Sequence, residues 1–202
     1  MKTTWIGAAL LGAALALGAG AAGAQAAREF SPTVQLGGQT LLKNGQGTRY
    51  KAIFKVYDLA LYLPAKTQDA AQVLAMPGAK RASFVALRDI PADQFGLSLV
   101  SGMRENVSAR HAAEVIGYMS DVIAVFSSEK MIKAGQTFRV DYVPSKGTSF
   151  YLDDKQKGPT VANPLFAEAV LSIWMGPKPV EAQLKDSLLG KAAPAPNAQS
   201  LN

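Results

Sequence analysis

The stretch Gly47-Thr-Arg-Tyr-Lys-Ala-Ile-Phe-Lys-Val-Tyr-Asp-Leu-Ala-Leu-Tyr-Leu63 decides the fold. After Gly47 it holds neither glycine nor proline, and it is rich in β-branched, aromatic and aliphatic residues, so it reads as extended chain. One parity carries Arg49, Lys51, Ile53, Lys55, Tyr57, Leu59, Leu61 and Leu63; the other carries Tyr50, Ala52, Phe54, Val56, Ala60 and Tyr62, with Asp58 among them. Toward its C-terminal end both sides are apolar, the pattern of a strand inside a sheet and covered on both faces. Arg49, Tyr57 and Asp58 in such a place need partners within the chain or a ligand.

Elements can be read outward from this stretch. Upstream, Thr33-Val-Gln-Leu36 and Thr40-Leu-Leu-Lys43 are short strands joined at Gly37-Gly38, and Asn44-Gly-Gln-Gly47 reads as a further turn. Downstream, Thr67 is a candidate N-cap for a short helix running to about Met76, which Pro77-Gly78 ends. Arg81–Arg88 reads as a strand. Pro91 then opens a helix with an apolar set at Phe95, Leu97, Leu99, Val100 and Met103. A longer amphipathic helix is expected over 109–127 on Ala112, Ile116, Met119, Ile123 and Phe126.

Thr137–Val143 and Thr148–Leu152 form a hairpin, followed by a tight turn at Asp153-Asp154. Asn163-Pro164 starts a helix that Gly176 and Pro177 close, and a last helix is expected from Pro179 to Leu189. Strands first, helices in the middle, a hairpin and then helices again argue for an α+β fold: an antiparallel sheet with helices packed on one face.

The first 26 residues read as a signal peptide, with Lys2 as the basic region, an apolar run from Trp5 to about Leu17, and Ala24-Gln-Ala26 as the cleavage site. This pattern suits export to a bacterial periplasm and leaves no transmembrane anchor after processing. Residues 27–190 then form one domain, and the proline-rich, small-residue segment 191–202 is expected to be disordered.

Composition closes several functional classes. The net charge of +6 is spread over scattered basic residues without blocks or aromatic interleaving, which argues against nucleic acid. With no cysteine and a single histidine, His111, neither a thiol nucleophile nor a Cys- or multi-His metal site is available. No Gly-x-Ser-x-Gly elbow and no phosphate-binding glycine loop occur. The residues point to no metal, no cofactor and no catalytic group.

Two blocks carry a resemblance. Gly-x-Arg49 followed by a strand ending Leu59-Ala-Leu-Tyr-Leu-Pro64, and Asn163-Pro-Leu-Phe-Ala-Glu-Ala-Val-Leu-Ser-Ile-Trp-Met-Gly176, resemble the chalcone isomerase-like family over roughly residues 30–190. The resemblance implies an open-faced β-sandwich. It also implies a site built from an arginine and a threonine on successive strands, a tyrosine and asparagine near a helix, and a threonine on the late helix. Block by block these positions fall at Arg49, Tyr57, at or near Phe95, near Gly102, and at Ile173. A phenol has become a phenyl, and two hydrogen-bonding groups have become glycine and isoleucine, so chalcone ring closure is not expected.

Other members of the family bind fatty acids, with an arginine and a tyrosine on the carboxylate. That implies the same role here for Arg49 and Tyr57, in a cleft lined by Phe95, Leu97, Val170 and Ile173. In one straight strand Arg49 and Tyr57 lie roughly 26 Å apart. The family pattern therefore implies a reversal within Tyr50–Ile53, where no glycine or proline marks one; Tyr62 is the alternative partner. The ligand expected is a fatty acid or similar amphiphilic carboxylate, bound without catalysis. An isomerase or lyase on an unknown substrate, and a structural or partner-binding module with a filled cleft, are the competing classes.

Overall fold

The computed structural model describes residues 30–127 and 129–191. The expected signal peptide, and all but Lys191 of the expected disordered tail, lie outside these residues.

The strands are β1 (Thr33–Leu36), β2 (Gln39–Lys51), β3 (Phe54–Leu63), β4 (Lys80–Ala86), β5 (Ile90–Pro91), β6 (Met131–Ile132), β7 (Thr137–Val143), β8 (Gly147–Leu152) and β9 (Lys155–Val161). The helices are α1 (Ala70–Ala75), α2 (Ala92–Asn106), α3 (Ala109–Ser127), α4 (Pro164–Met175) and α5 (Ala182–Leu188). Seven strands form one sheet in the order β1-β2-β3-β4-β7-β8-β9, every pairing antiparallel, and β5 pairs with β6 separately. The expected α+β architecture holds. No helix among the described residues is long and apolar enough to cross a membrane.

The deciding stretch is a hairpin, not one strand. Lys51 pairs with Phe54 across a two-residue loop, Ala52-Ile53, and the register continues to Arg49 opposite Tyr57 and Thr48 opposite Asp58. The reversal falls within Tyr50–Ile53 and uses no glycine: Ala52 takes φ 53 instead. Left-handed backbone costs an L-residue roughly 1–2 kcal/mol, which is why sequence reading passes over such a turn. The Gly37-Gly38 turn, with φ 58 and 76, is the conventional solution and was legible.

Beyond the hairpin the reading of β3 as an interior strand is right. Leu59 to Leu63 are all buried, the odd positions against the helices and Ala60 and Tyr62 in a smaller cluster with Leu41 and Ala79 on the other face. All five helices contribute buried side chains to the first cluster, including Val73 of α1, Phe95 of α2, Val115 of α3, Trp174 of α4 and Leu184 of α5.

Asn44-Gly-Gln-Gly47 is not a turn but part of β2. The register slips between Lys43 and Gly45, so Asn44 is the extra residue of a bulge. Its amide donates to the carbonyls of Thr67 and Leu188 and accepts from the Thr67 N–H. A Cβ on Gly45 would lie 2.2 Å from the Ser187 carbonyl oxygen, and one on Gly47 2.7 Å from Ser187 Cβ. The glycines are there because α5 lies directly on the strand.

Smaller differences follow from capping and burial. Asp69, not Thr67, caps α1, accepting from the Ala71 and Gln72 N–H groups. The last helix begins at Ala182 rather than Pro179, leaving 176–181 as a connecting segment. On α3 the buried side chains are Val115, Met119, Val122, Val125 and Phe126, whereas Ile116 is 62% exposed. His111, half-buried near the start of α3, is held through its backbone by Ser108.

Replacing Ala52 with glycine removes the left-handed penalty at a cost in unfolded-chain entropy. The Ala52→Gly protein is expected to be more stable by about 0.5–1 kcal/mol, raising Tm by roughly 1–4 °C in thermal unfolding.

Candidate functional site

A cleft of about 540 Å³ opens between the β2–β3 hairpin, the Arg88–Pro91 segment and the first half of α2. Four of the five residues proposed from sequence line it: Arg49, Tyr57, Phe95 and Ile173. Tyr57 and Arg49 are directly opposed across antiparallel strands, which puts their side chains on the same face as near neighbours.

The fifth, Tyr62, does not belong. Five residues along β3 from Tyr57 it points to the other face, where its hydroxyl donates to the Ser31 carbonyl at 2.9 Å. The Arg49–Tyr62 alternative is therefore wrong. Leu97 and Val170 are also misassigned: Leu97 is 47% exposed, Val170 is buried in the core, and neither lines the cleft. Leu99 takes the place expected of Leu97, because α2 turns positions 95, 99 and 103 inward. Helix α3 contributes nothing to the cleft wall.

Tyr57 is buried, and its ring meets Phe84 and Phe95 edge-on at centroid distances of 5.3 and 6.0 Å. Its hydroxyl oxygen accepts from Trp174 Nε1 at 3.1 Å. An indole N–H can only donate, so the phenol keeps its own hydrogen, for which no acceptor occurs among the described residues. Burial pushes the Tyr57 pKa up to about 12, outweighing the downward pull of the Trp174 hydrogen bond and of Arg49. At neutral pH this residue is a hydrogen-bond donor and not a phenolate base.

Arg49 has a partner that sequence reading did not supply. Its Nη1 contacts Glu181 Oε2 at 2.9 Å, and the same oxygen accepts the Tyr50 N–H at 2.9 Å. The two side chains are only 21% and 19% exposed. A buried guanidinium does need a counter-ion, but here the chain provides it. Nε and Nη2 of Arg49 find no acceptor among the described residues.

Glu181 arrives because α5 is seated on Gly45 and Gly47, and because Asn106 ties down the preceding segment. Asn106 Nδ2 donates to the Lys178 carbonyl, and Oδ1 accepts from the Lys178 N–H. Glu181 occupies the N-cap position of α5 but makes no side-chain cap, spending its carboxylate on Arg49 instead. The contact spans 132 residues of sequence, and no local signal announces it.

The positions where the resemblance implied an asparagine and a threonine also meet. A Cβ on Gly102 would lie 2.9 Å from Ile173 Cγ2, so α2 and α4 close on each other there. Tyr118, the nearest tyrosine in sequence to Phe95, packs against Phe166 at 5.6 Å and is not part of the cleft wall. Phe95, Leu99 and Ile173 thus give the cleft its apolar wall beside Arg49 and Tyr57, and Asp89, Gln94 and Ser98 also line it. Lys51 and Arg88 stand at the rim.

The chalcone isomerase-like family profile matches residues 22–190. The chain belongs to that family. Among solved structures it is similar to the crystal structure of an Arabidopsis thaliana fatty-acid binding protein, at TM-score 0.59 and 13% identity over 80% of this chain and 91% of that one. At that identity the likeness establishes the shared fold. No curated protein sequence matches.

A buried phenol with a raised pKa makes the fold sensitive to alkali in a defined window. Between the unfolded value near 10 and the folded value of about 12, only the unfolded chain ionises Tyr57, so stability falls as pH rises. Below pH 10 the effect is absent. Over pH 10–12 the wild type is expected to lose roughly 1–3 kcal/mol relative to Tyr57→Phe, measured by denaturant unfolding across that range.

Proposed function

We propose that this chalcone isomerase-like protein binds a long-chain fatty acid or a similar amphiphilic carboxylate, and does no chemistry on it. The single observation that carries this reading is the in-register pairing of Arg49 with Tyr57 beside the apolar side chains Phe95, Leu99 and Ile173 of the cleft. The pair offers two kinds of donor to one anion: the guanidinium edge not engaged by Glu181, and the phenol hydrogen that Trp174 leaves free. Phe95, Leu99, Ile173 and Val56 offer an acyl chain a wall at about 0.8 kcal/mol per buried CH₂. The cleft volume lies in the range of small-molecule sites, which speaks against a module whose cleft is filled by its own side chains. A fatty-acid binding protein with the same fold supports the ligand class.

Against an isomerase, Phe95 and Ile173 carry no group to orient or stabilise an enolate. Tyr57 is held neutral by burial. Asp89, the other carboxyl at the rim, is kept ionised by Lys133 and the Ala134 N–H. On the leader-like residues 1–26 we further propose that the protein acts after export, in the periplasm.

Titration with a fluorescent fatty acid tests the anchor. Arg49→Ala is expected to weaken binding about 10- to 150-fold, the equivalent of about 1.5–3 kcal/mol for a charge-assisted contact, with Arg49→Lys recovering only part. Glu181→Gln, which leaves the guanidinium charge in place and removes a competing anion, is expected to bind at least as tightly as wild type. Equal affinity of wild type and a folded Arg49→Ala overturns the carboxylate anchor. Extraction and mass spectrometry of lipid carried by the purified protein then separates a carrier from an enzyme that retains none.

A further inference from the structure

The tip of the β2–β3 hairpin stands clear of the sheet. On one side β1 pairs with β2 only as far as Leu42, and on the other β4 pairs with β3 only from Tyr57 onward. Residues 50–55 therefore project as a two-stranded ribbon beside the cleft mouth. At its end Ile53 is 84% exposed and Phe54 57%, with Tyr50 at 36%. Buried positions for such side chains are the rule elsewhere in the sheet, so their clustering on one projecting tip calls for a partner.

Charge says which partner. Lys51 and Lys55 flank the two apolar tip residues, and Arg88 lies over the Phe54 ring at 5.2 Å. None of these three cations has an ion-pair partner among the described residues. The acidic groups at the cleft, Glu181 and Asp89, are already matched by Arg49 and Lys133. The tip is thus apolar at its end and uncompensated positive around it, the complement of an anionic lipid surface: aliphatic and aromatic side chains enter the acyl boundary while lysines meet the headgroups. The two-residue loop with its left-handed Ala52 keeps the tip narrow.

We propose that this hairpin docks the protein on an anionic membrane, placing the cleft mouth at the lipid surface. Phe54 joins the two functions, since it is both on the tip and in the cleft wall. The docking surface is defined by the ribbon and Arg88 and is read without any ligand in the cleft, so it stands or falls separately from the fatty-acid reading.

Flotation of the folded protein with phosphatidylcholine vesicles, with and without phosphatidylglycerol, tests the proposal. Partition is expected only with the anionic lipid and is expected to fall steeply between low and physiological salt. Ile53→Asp should reduce it at least tenfold and Lys55→Glu several-fold; neither residue lines the cleft, so both variants should still bind a fluorescent fatty acid. Ile116→Asp, at the exposed isoleucine of α3, should leave partition unchanged. Ile53→Trp should show an emission blue shift on adding anionic vesicles, reporting entry of the tip. Absence of vesicle binding by the wild type, an undiminished partition in Ile53→Asp, or an equal loss in Ile116→Asp overturns it. The first of these outcomes would hand the exposed tip to a protein partner instead.

Discussion

The register of one hairpin sets the site. Because the chain reverses at Ala52-Ile53, Arg49 and Tyr57 become cross-strand neighbours on the face that meets the helices. A reversal one residue earlier or later would change which residue stands opposite Arg49. A one-residue slip in pairing would turn a strand's side chains to the other face. The extra residue at Val56, where the pairing shifts between Arg49 and Tyr50, bends the ribbon just before this pair. The Arg49–Tyr57 pair in the cleft hangs on that arrangement.

Around it, packing supplies the electrostatics. Glycines at 45 and 47 let α5 lie on β2, the bulged Asn44 fastens the C-terminal end of that helix through Leu188, and Asn106 fixes the segment that leads into it. The result is a carboxylate, Glu181, delivered to Arg49 from the far end of the chain. Its presence gives the guanidinium a counter-ion without a ligand, while Nε and Nη2 stay without an acceptor among the described residues. From α4, Trp174 does the corresponding work for Tyr57: its indole N–H occupies the phenol oxygen and leaves the phenol hydrogen without an acceptor among the described residues.

Much of this was legible. The unbroken apolar run Leu59–Leu63, the Gly37-Gly38 turn and the Asn163-Pro164 helix start each state their structure locally, and the α+β sheet follows from the order of the elements. The fold-back was legible only through the family resemblance, because Ala52 adopts a backbone that glycine normally signals. The glycines at 45 and 47 misled for the converse reason: they serve a helix contact, which looks the same in sequence as a turn. Tyr62 failed by parity alone, and Leu97 by helical phase. Glu181 was illegible, since its partner lies 132 residues away and nothing near it in sequence points there.

The most direct test of the carboxylate anchor is a crystal structure of the protein with a terminally brominated long-chain fatty acid. The carboxylate is expected within hydrogen-bond distance of both the Tyr57 hydroxyl and the Arg49 guanidinium edge opposite Glu181, with the anomalous bromine signal marking a chain along the wall of Phe95 and Leu99. A carboxylate held at Lys51 or Arg88 on the rim, with Arg49 still paired only to Glu181, contradicts it.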